Sequence, residues 1–120
     1  MKPGVEAVIE DYRFGSITID GKHYQTDVKI VGKRVVADWW RQQGHVLDAF
    51  DVDDIPSARP ECLVVGRGSP GNMAVAENLR ETLVAVGIEL IEEPTSRAVK
   101  TFNRLRAEGK RVAGAFHLTC

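Results

Sequence analysis

LVVGRGSPGNMA, residues 63–74, decides how the second half of this chain is read. Leu63-Val64-Val65 is an unbroken aliphatic run, the pattern of a short strand covered on both faces. It passes directly into Gly66-Arg67-Gly68-Ser69-Pro70-Gly71, which satisfies the G-x-G-x-x-G pattern of a strand-to-helix turn. Downstream, Met73, Ala76, Leu79, Leu83 and Val86 recur at helical spacing opposite Glu77, Arg80 and Glu81, and Gly87 stands where a C-cap belongs. Residues 88–91 predict a second strand. Thr95 or Ser96 then offers an N-cap to a helix with the apolar stripe Ala98, Val99, Phe102 and Leu105. Arg104 and Arg106 lie near the negative end of that helix, and Gly109 closes it. Residues 112–116 predict the last strand. The order β-α-β-α-β demands parallel strands joined by right-handed crossovers.

Upstream of this unit the period is that of strands. Val8-Ile9 begins one run, Gly15-Ser16 interrupts it, and Ile17-Thr18-Ile19 resumes it. Asp20-Gly21 is a strong two-residue hairpin signal, because both turn positions need positive φ. Tyr24, Val28 and Ile30 share one parity, the signature of a half-buried strand over residues 23–31. Gly32-Lys33 turns the chain into Val35-Val36. An antiparallel meander is therefore expected, and after it Pro56 and Pro60 limit any helix to a turn or two.

A length of 120 residues suits one domain over 1–120 with a real core. The chain is 43% hydrophobic and 28% charged, the balance of a globular protein. Its net charge of -1 argues against a nucleic-acid binder. No apolar run reaches the roughly 20 residues of a membrane span, and the first residues lack the apolar core of a signal peptide. Cys62 and Cys120 have no C-x-x-C spacing, so a reduced, cytoplasmic protein is expected.

Glu92-Glu93 follows the glycine loop by about 20 residues, where the ribose-binding acid of a dinucleotide site belongs. Against that reading, a dinucleotide spans two such halves and this chain has one, while Pro70 removes an amide donor. No cofactor is therefore expected. A smaller possibility survives: the amides of Gly68 and Ser69, a helix start near Gly71-Asn72 and the guanidinium of Arg67 would hold a small anion. The alternative is that the glycines merely permit a sharp turn.

The tail GKRVAGAFHLTC (residues 109–120), the loop LVVGRG (63–68) and WWRQQGH (39–45) resemble the Mth938-like domain family, a domain of unknown function also called DUF498. The likeness covers nearly the whole chain. It implies an α/β fold of three layers, with a central mixed sheet, helices and a small additional β element. Its eukaryotic members include a mitochondrial complex I assembly factor and a protein associated with adipogenesis, neither with an established catalytic activity. The resemblance also implies, loosely, a site drawn from Trp40, Arg41, Gly44 and His45, from Gly66, Arg67 and Gly68, and from His117 with Cys120.

Other chemistry-bearing residues read more plainly. Asp51-Val52-Asp53-Asp54 lacks the glycine and distal glutamate of a calcium loop and reads as helix-capping acid, so no metal is expected. Of the adjacent Trp39 and Trp40, one should face the core and the other solvent or a pocket. His117 stands at the carboxyl end of a parallel strand, the edge where open α/β sheets bind ligands. The leading expectation is a non-catalytic binding or assembly module, holding a partner or a small anion at Arg67, Gly68, Ser69, Trp40, Arg41, His45 and His117. Its rival is an enzyme using His117, His45 and Arg67 in a pocket at the carboxyl edge of the sheet.

Overall fold

The computed structural model describes residues 8–120, so the reading of the first residues as free of a signal sequence lies outside it. Strands β1 (Ile9–Arg13), β2 (Ser16–Ile19) and β3 (Lys22–Tyr24) form an antiparallel three-stranded sheet. Asp20 and Gly21 take φ of 52° and 79°, the two positive values that the tight turn between β2 and β3 requires. Then come β4 (Val28–Val31), β5 (Arg34–Val36), β6 (Val46–Leu47), a 3₁₀ turn (Ala49–Val52) and the one-turn helix α1 (Ile55–Ala58). The rest of the chain runs β7 (Cys62–Gly66), β8 (Ala74–Val75), α2 (Glu77–Val86), β9 (Glu89–Glu93), α3 (Thr95–Ala107) and β10 (Val112–Phe116).

The central sheet has five strands in the order β5-β4-β10-β7-β9. β10 and β7 are parallel, as are β7 and β9, as their connections through α2 and α3 dictate. β4 joins the far side of β10 antiparallel, which makes the sheet mixed. β7 and β10 are buried at every residue, as the unalternating apolar runs require. Val112 and Phe116 pack with Phe102, Ala98 and Leu105 of α3 and with Ile17 and Ile19 of the small sheet. Ala113 and Ala115 face the other way, onto Leu79 and Leu83 of α2, Met73, Val52 and Trp39. The central sheet is thus the middle of three layers.

Gly114 marks where the α3 side is tightest. A Cβ there would run into the ring of Phe116 and come within 3.1 Å of Phe102. Without it the two rings meet edge to face at 5.6 Å, a pairing worth about 0.5–1.5 kcal/mol beyond the burial itself.

Three sequence expectations are corrected. The meander is not one sheet: residues 25–27 leave the strand path, and β4 and β5 join the central sheet. Thr26 occupies the apolar parity there, and its hydroxyl accepts from the Asp38 amide, tying the segment to a loop rather than a ladder. The helix expected from Met73 begins at Glu77. The intervening amides are taken elsewhere, Met73 N by Arg67 O, Ala74 N by His45 O and Ala76 N by Leu47 O, so the segment is extended and β8 pairs with β6. Finally, Pro94 rather than Thr95 or Ser96 is the N-cap of α3. The Thr95 hydroxyl instead accepts from Gly68 N and donates to His117 O. No helix of the described residues is long and apolar enough to cross a membrane.

Candidate functional site

The pairing of β10 with β4 ends at Phe116 opposite Val28. One step further out, where both strands stop, His117 meets Asp27. His117 Nδ1 lies 2.8 Å from Asp27 Oδ2, and the Leu118 amide donates to Asp27 Oδ1 at 2.8 Å. Arg41 arrives from the segment after β5. Its Nη1 donates to Asp27 Oδ2 at 2.8 Å, its Nε to Gly44 O at 2.9 Å, and its guanidinium lies 5.2 Å from the Trp39 ring centre. Trp39 is buried and anchored through Nε1 to Asp51 O. The side chains of Arg41 and His117 are 5% and 8% exposed, so this is an interior ion pair rather than a surface contact.

The proton on His117 follows from its neighbours. A carboxylate oxygen only accepts, so the ring nitrogen beside it carries hydrogen. Arg41 Nη2, 3.2 Å from the same nitrogen, is then a second donor facing a donor and not a hydrogen bond. Burial pushes the Asp27 carboxyl up, but the hydrogen bonds from His117, the Leu118 amide and Arg41, with the charge that His117 carries once protonated, outweigh it and hold it below the usual carboxylate value. Burial, and then the Asp27 charge, push the Tyr12 hydroxyl above its ordinary value. That hydroxyl donates to Leu118 O.

The other ring nitrogen, His117 Nε2, is buried and has no hydrogen-bond partner among the described residues. The ring borders a cavity of about 340 Å³ lined also by Asp27, Trp40, Arg41, His45 and Thr119. His45 meets His117 edge to face at 5.6 Å. Trp40 is 81% exposed, the outward member of the tryptophan pair. Five residues expected at a site (Trp40, Arg41, Gly44, His45 and His117) therefore line one cavity.

Arg67, Gly68 and Ser69 do not line it. The amide of Gly68 donates to Thr95 Oγ1, that of Ser69 to Thr119 O and that of Asn72 to Cys120 O. Arg67 Nε donates to Met73 O, and no helix starts near Gly71. The amides of Gly68, Ser69 and Asn72 and the Nε of Arg67, expected to cradle an anion, are thus bonded within the chain. The acidic run is likewise spent on structure. Asp51 accepts from the amides of Gln42 and Asp48, and Asp54 pairs with Lys29 at 2.9 Å.

Asp27 escaped the sequence reading. Nothing local marks it, because its role depends on which strand pairs with β4. A larger depression of about 960 Å³ lies at the opposite, amino ends of the parallel strands, bordered by Pro56, Arg59 and Arg111. Arg111 is partnered there, bonding Glu61 and the Arg59 carbonyl. Physical interest therefore falls on the smaller cavity.

The sequence model of the family described as "Protein of unknown function (DUF498/DUF598)" matches residues 9–117. The chain belongs to this family. Among solved structures similar to this DUF498 chain, the conserved hypothetical protein PH1505 from Pyrococcus horikoshii OT3 is 28% identical with a TM-score of 0.82. The match covers 93% of this chain and 98% of that one. MT938 is 26% identical at a TM-score of 0.79, covering 96% and 100% respectively. A Mth938-like domain protein from Bordetella pertussis shares the fold at 20% identity and a TM-score of 0.65, covering 98% and 92%. The DUF498 fold and the resemblance drawn from the loop and tail thus agree.

Proposed function

We propose that this DUF498 protein is a non-catalytic binding module whose small ligand seats against His117 in the 340 Å³ cavity at the carboxyl edge of the central sheet. One observation carries the reading: Nε2 of His117 is buried without a partner among the described residues, while Nδ1 is fixed by Asp27. A buried polar atom left unpaired costs about 1–3 kcal/mol, and a ligand that completes the bond recovers it. Trp39, Trp40 and the two imidazole rings supply mostly apolar walls around that one polar point, the composition of small-molecule pockets generally.

A carboxylate that orients a histidine also describes a general base, and that geometry favours an enzyme as the second reading. Two features weigh against it. Arg41 shares the Asp27 charge, and the third residue expected of the enzyme, Arg67, lies outside the cavity. A thermal-shift screen of metabolites separates the readings. Compounds that stabilise wild type but not His117→Asn, and are recovered unchanged after long incubation, support the module. Ligand recovered as product supports the enzyme, and the lack of any stabilising compound removes both.

A further inference from the structure

From the hydrogen-bond and charge pattern of this cavity we infer that its ligand is a neutral, planar molecule presenting an N–H or O–H donor to His117 Nε2, with Trp40 over its face. The inference rests on the binding reading above and narrows it to a chemical class.

Polarity comes first. With hydrogen on Nδ1 facing Asp27, the uncharged form of the ring offers a lone pair at Nε2, and an acceptor calls for a donor. Charge comes second. Among the described residues, the only acid and the only guanidinium lining the cavity, Asp27 and Arg41, are paired with each other at 2.8 Å. A bare anion entering here meets a lone pair and a carboxylate, with the one cation already balanced. That arrangement is the reverse of an anion site, which needs charge-assisted donors aimed outward. The lining agrees, since Gln25, Thr26, His45 and Thr119 add no further formal cation when the imidazoles are neutral.

Shape comes third. A volume of about 340 Å³ lies at the small end of ligand pockets, which run roughly 300–1,000 Å³, and suits one ring with a short substituent. An indole 81% exposed at the rim of such a cavity presents an aromatic surface that offset stacking on a flat ligand would cover. Trp40 is free to do this because Trp39 carries the core packing of the pair.

Three probes of nearly equal size isolate the claim: benzamide (a neutral donor), acetophenone (neutral and planar, with no donor) and benzoate (an anion). Each is titrated into the full chain at pH 7.5 while the ¹⁵N resonances of the histidine side chains and the Trp40 indole signal are followed. Benzamide is expected to shift His117 Nε2 and Trp40 at millimolar concentration, and the other two to bind about ten-fold more weakly, as the loss of one hydrogen bond predicts. His117→Asn, which keeps a donor toward Asp27 and deletes the Nε2 acceptor, should erase the preference for benzamide. Trp40→Ala should weaken all probes alike. Should His117→Asn fail to fold, the probe series and Trp40→Ala carry the test alone. Benzoate binding as tightly as benzamide, or tighter, overturns the ligand class and leaves the binding reading standing. No shift at His117 or Trp40 with any probe at 20 mM, about the weakest affinity one ring and one hydrogen bond should give, overturns both.

Discussion

Asp27 and His117, 90 positions apart in the chain, sit directly opposite each other one residue beyond the last rung of the β4–β10 ladder, with Oδ2 and Nδ1 2.8 Å apart. The antiparallel register makes this contact: shifting the ladder by one residue would turn one of the two side chains to the other face of the sheet. Site and sheet are therefore energetically linked.

Asp27→Asn should show that link. The substitution leaves the Arg41 guanidinium buried beside an amide in place of a carboxylate. Breaking an interior pair from one side costs about 3–5 kcal/mol. The low end is expected, since Arg41 keeps its bond to Gly44 O. Urea unfolding should give a lower midpoint with an unchanged slope.

The same carboxyl sets a pH dependence. Its value is depressed in the folded chain, so its contribution is fully present above the ordinary carboxylate pKa of about 4 and is lost as pH falls through the lowered value. The stability gap between wild type and Asp27→Asn should narrow as pH falls below about 4. A gap unchanged down to pH 3 would show that the carboxyl is not depressed.

The adjacent tryptophans should separate cleanly. Trp39 is 6% exposed and Trp40 81%. Trp39→Ala should cost about 3–5 kcal/mol. Trp40→Ala should stay within about 0.5 kcal/mol and change only ligand response. Thermal unfolding of the two variants measures both.

Gly68→Ala should destabilise by about 2–4 kcal/mol, combining a left-handed backbone penalty with overpacking. Gly68 has φ of +103°, and an added Cβ would strike Thr119 O and approach His117 Cδ2 to 2.8 Å. Calorimetric unfolding checks the loss. The His117 side-chain signals should shift with it.

Legibility followed the kind of signal each residue carries. β7 and β10 were readable because strands buried on both faces must be apolar throughout, and Val64 or Ala115 has no other reading. Met73 reads as helical from its spacing because burial alone cannot distinguish a helical from an extended residue. It is fully buried from a loop. His117 is legible as a polar residue at the carboxyl end of an apolar strand, and His45 only through the family resemblance. Asp27 is not, since its importance arises from a partner 90 positions away.

The clasp between the glycine loop and residues 117–120 bears on any phosphate that reaches it. Gly66 O accepts from His117 N, while the amides of Ser69 and Asn72 donate to the carbonyls of Thr119 and Cys120. In terms of competition, the tail is a covalently attached inhibitor of its own loop. A tether of this kind acts at an effective concentration on the order of millimolar or higher, which a free nucleotide must outcompete before it meets a single amide. A pattern that in other folds cradles a pyrophosphate here has the amides of Gly68, Ser69 and Asn72 bonded within the chain, and a calorimetric titration with NAD or NADP should give no one-site isotherm in the micromolar range.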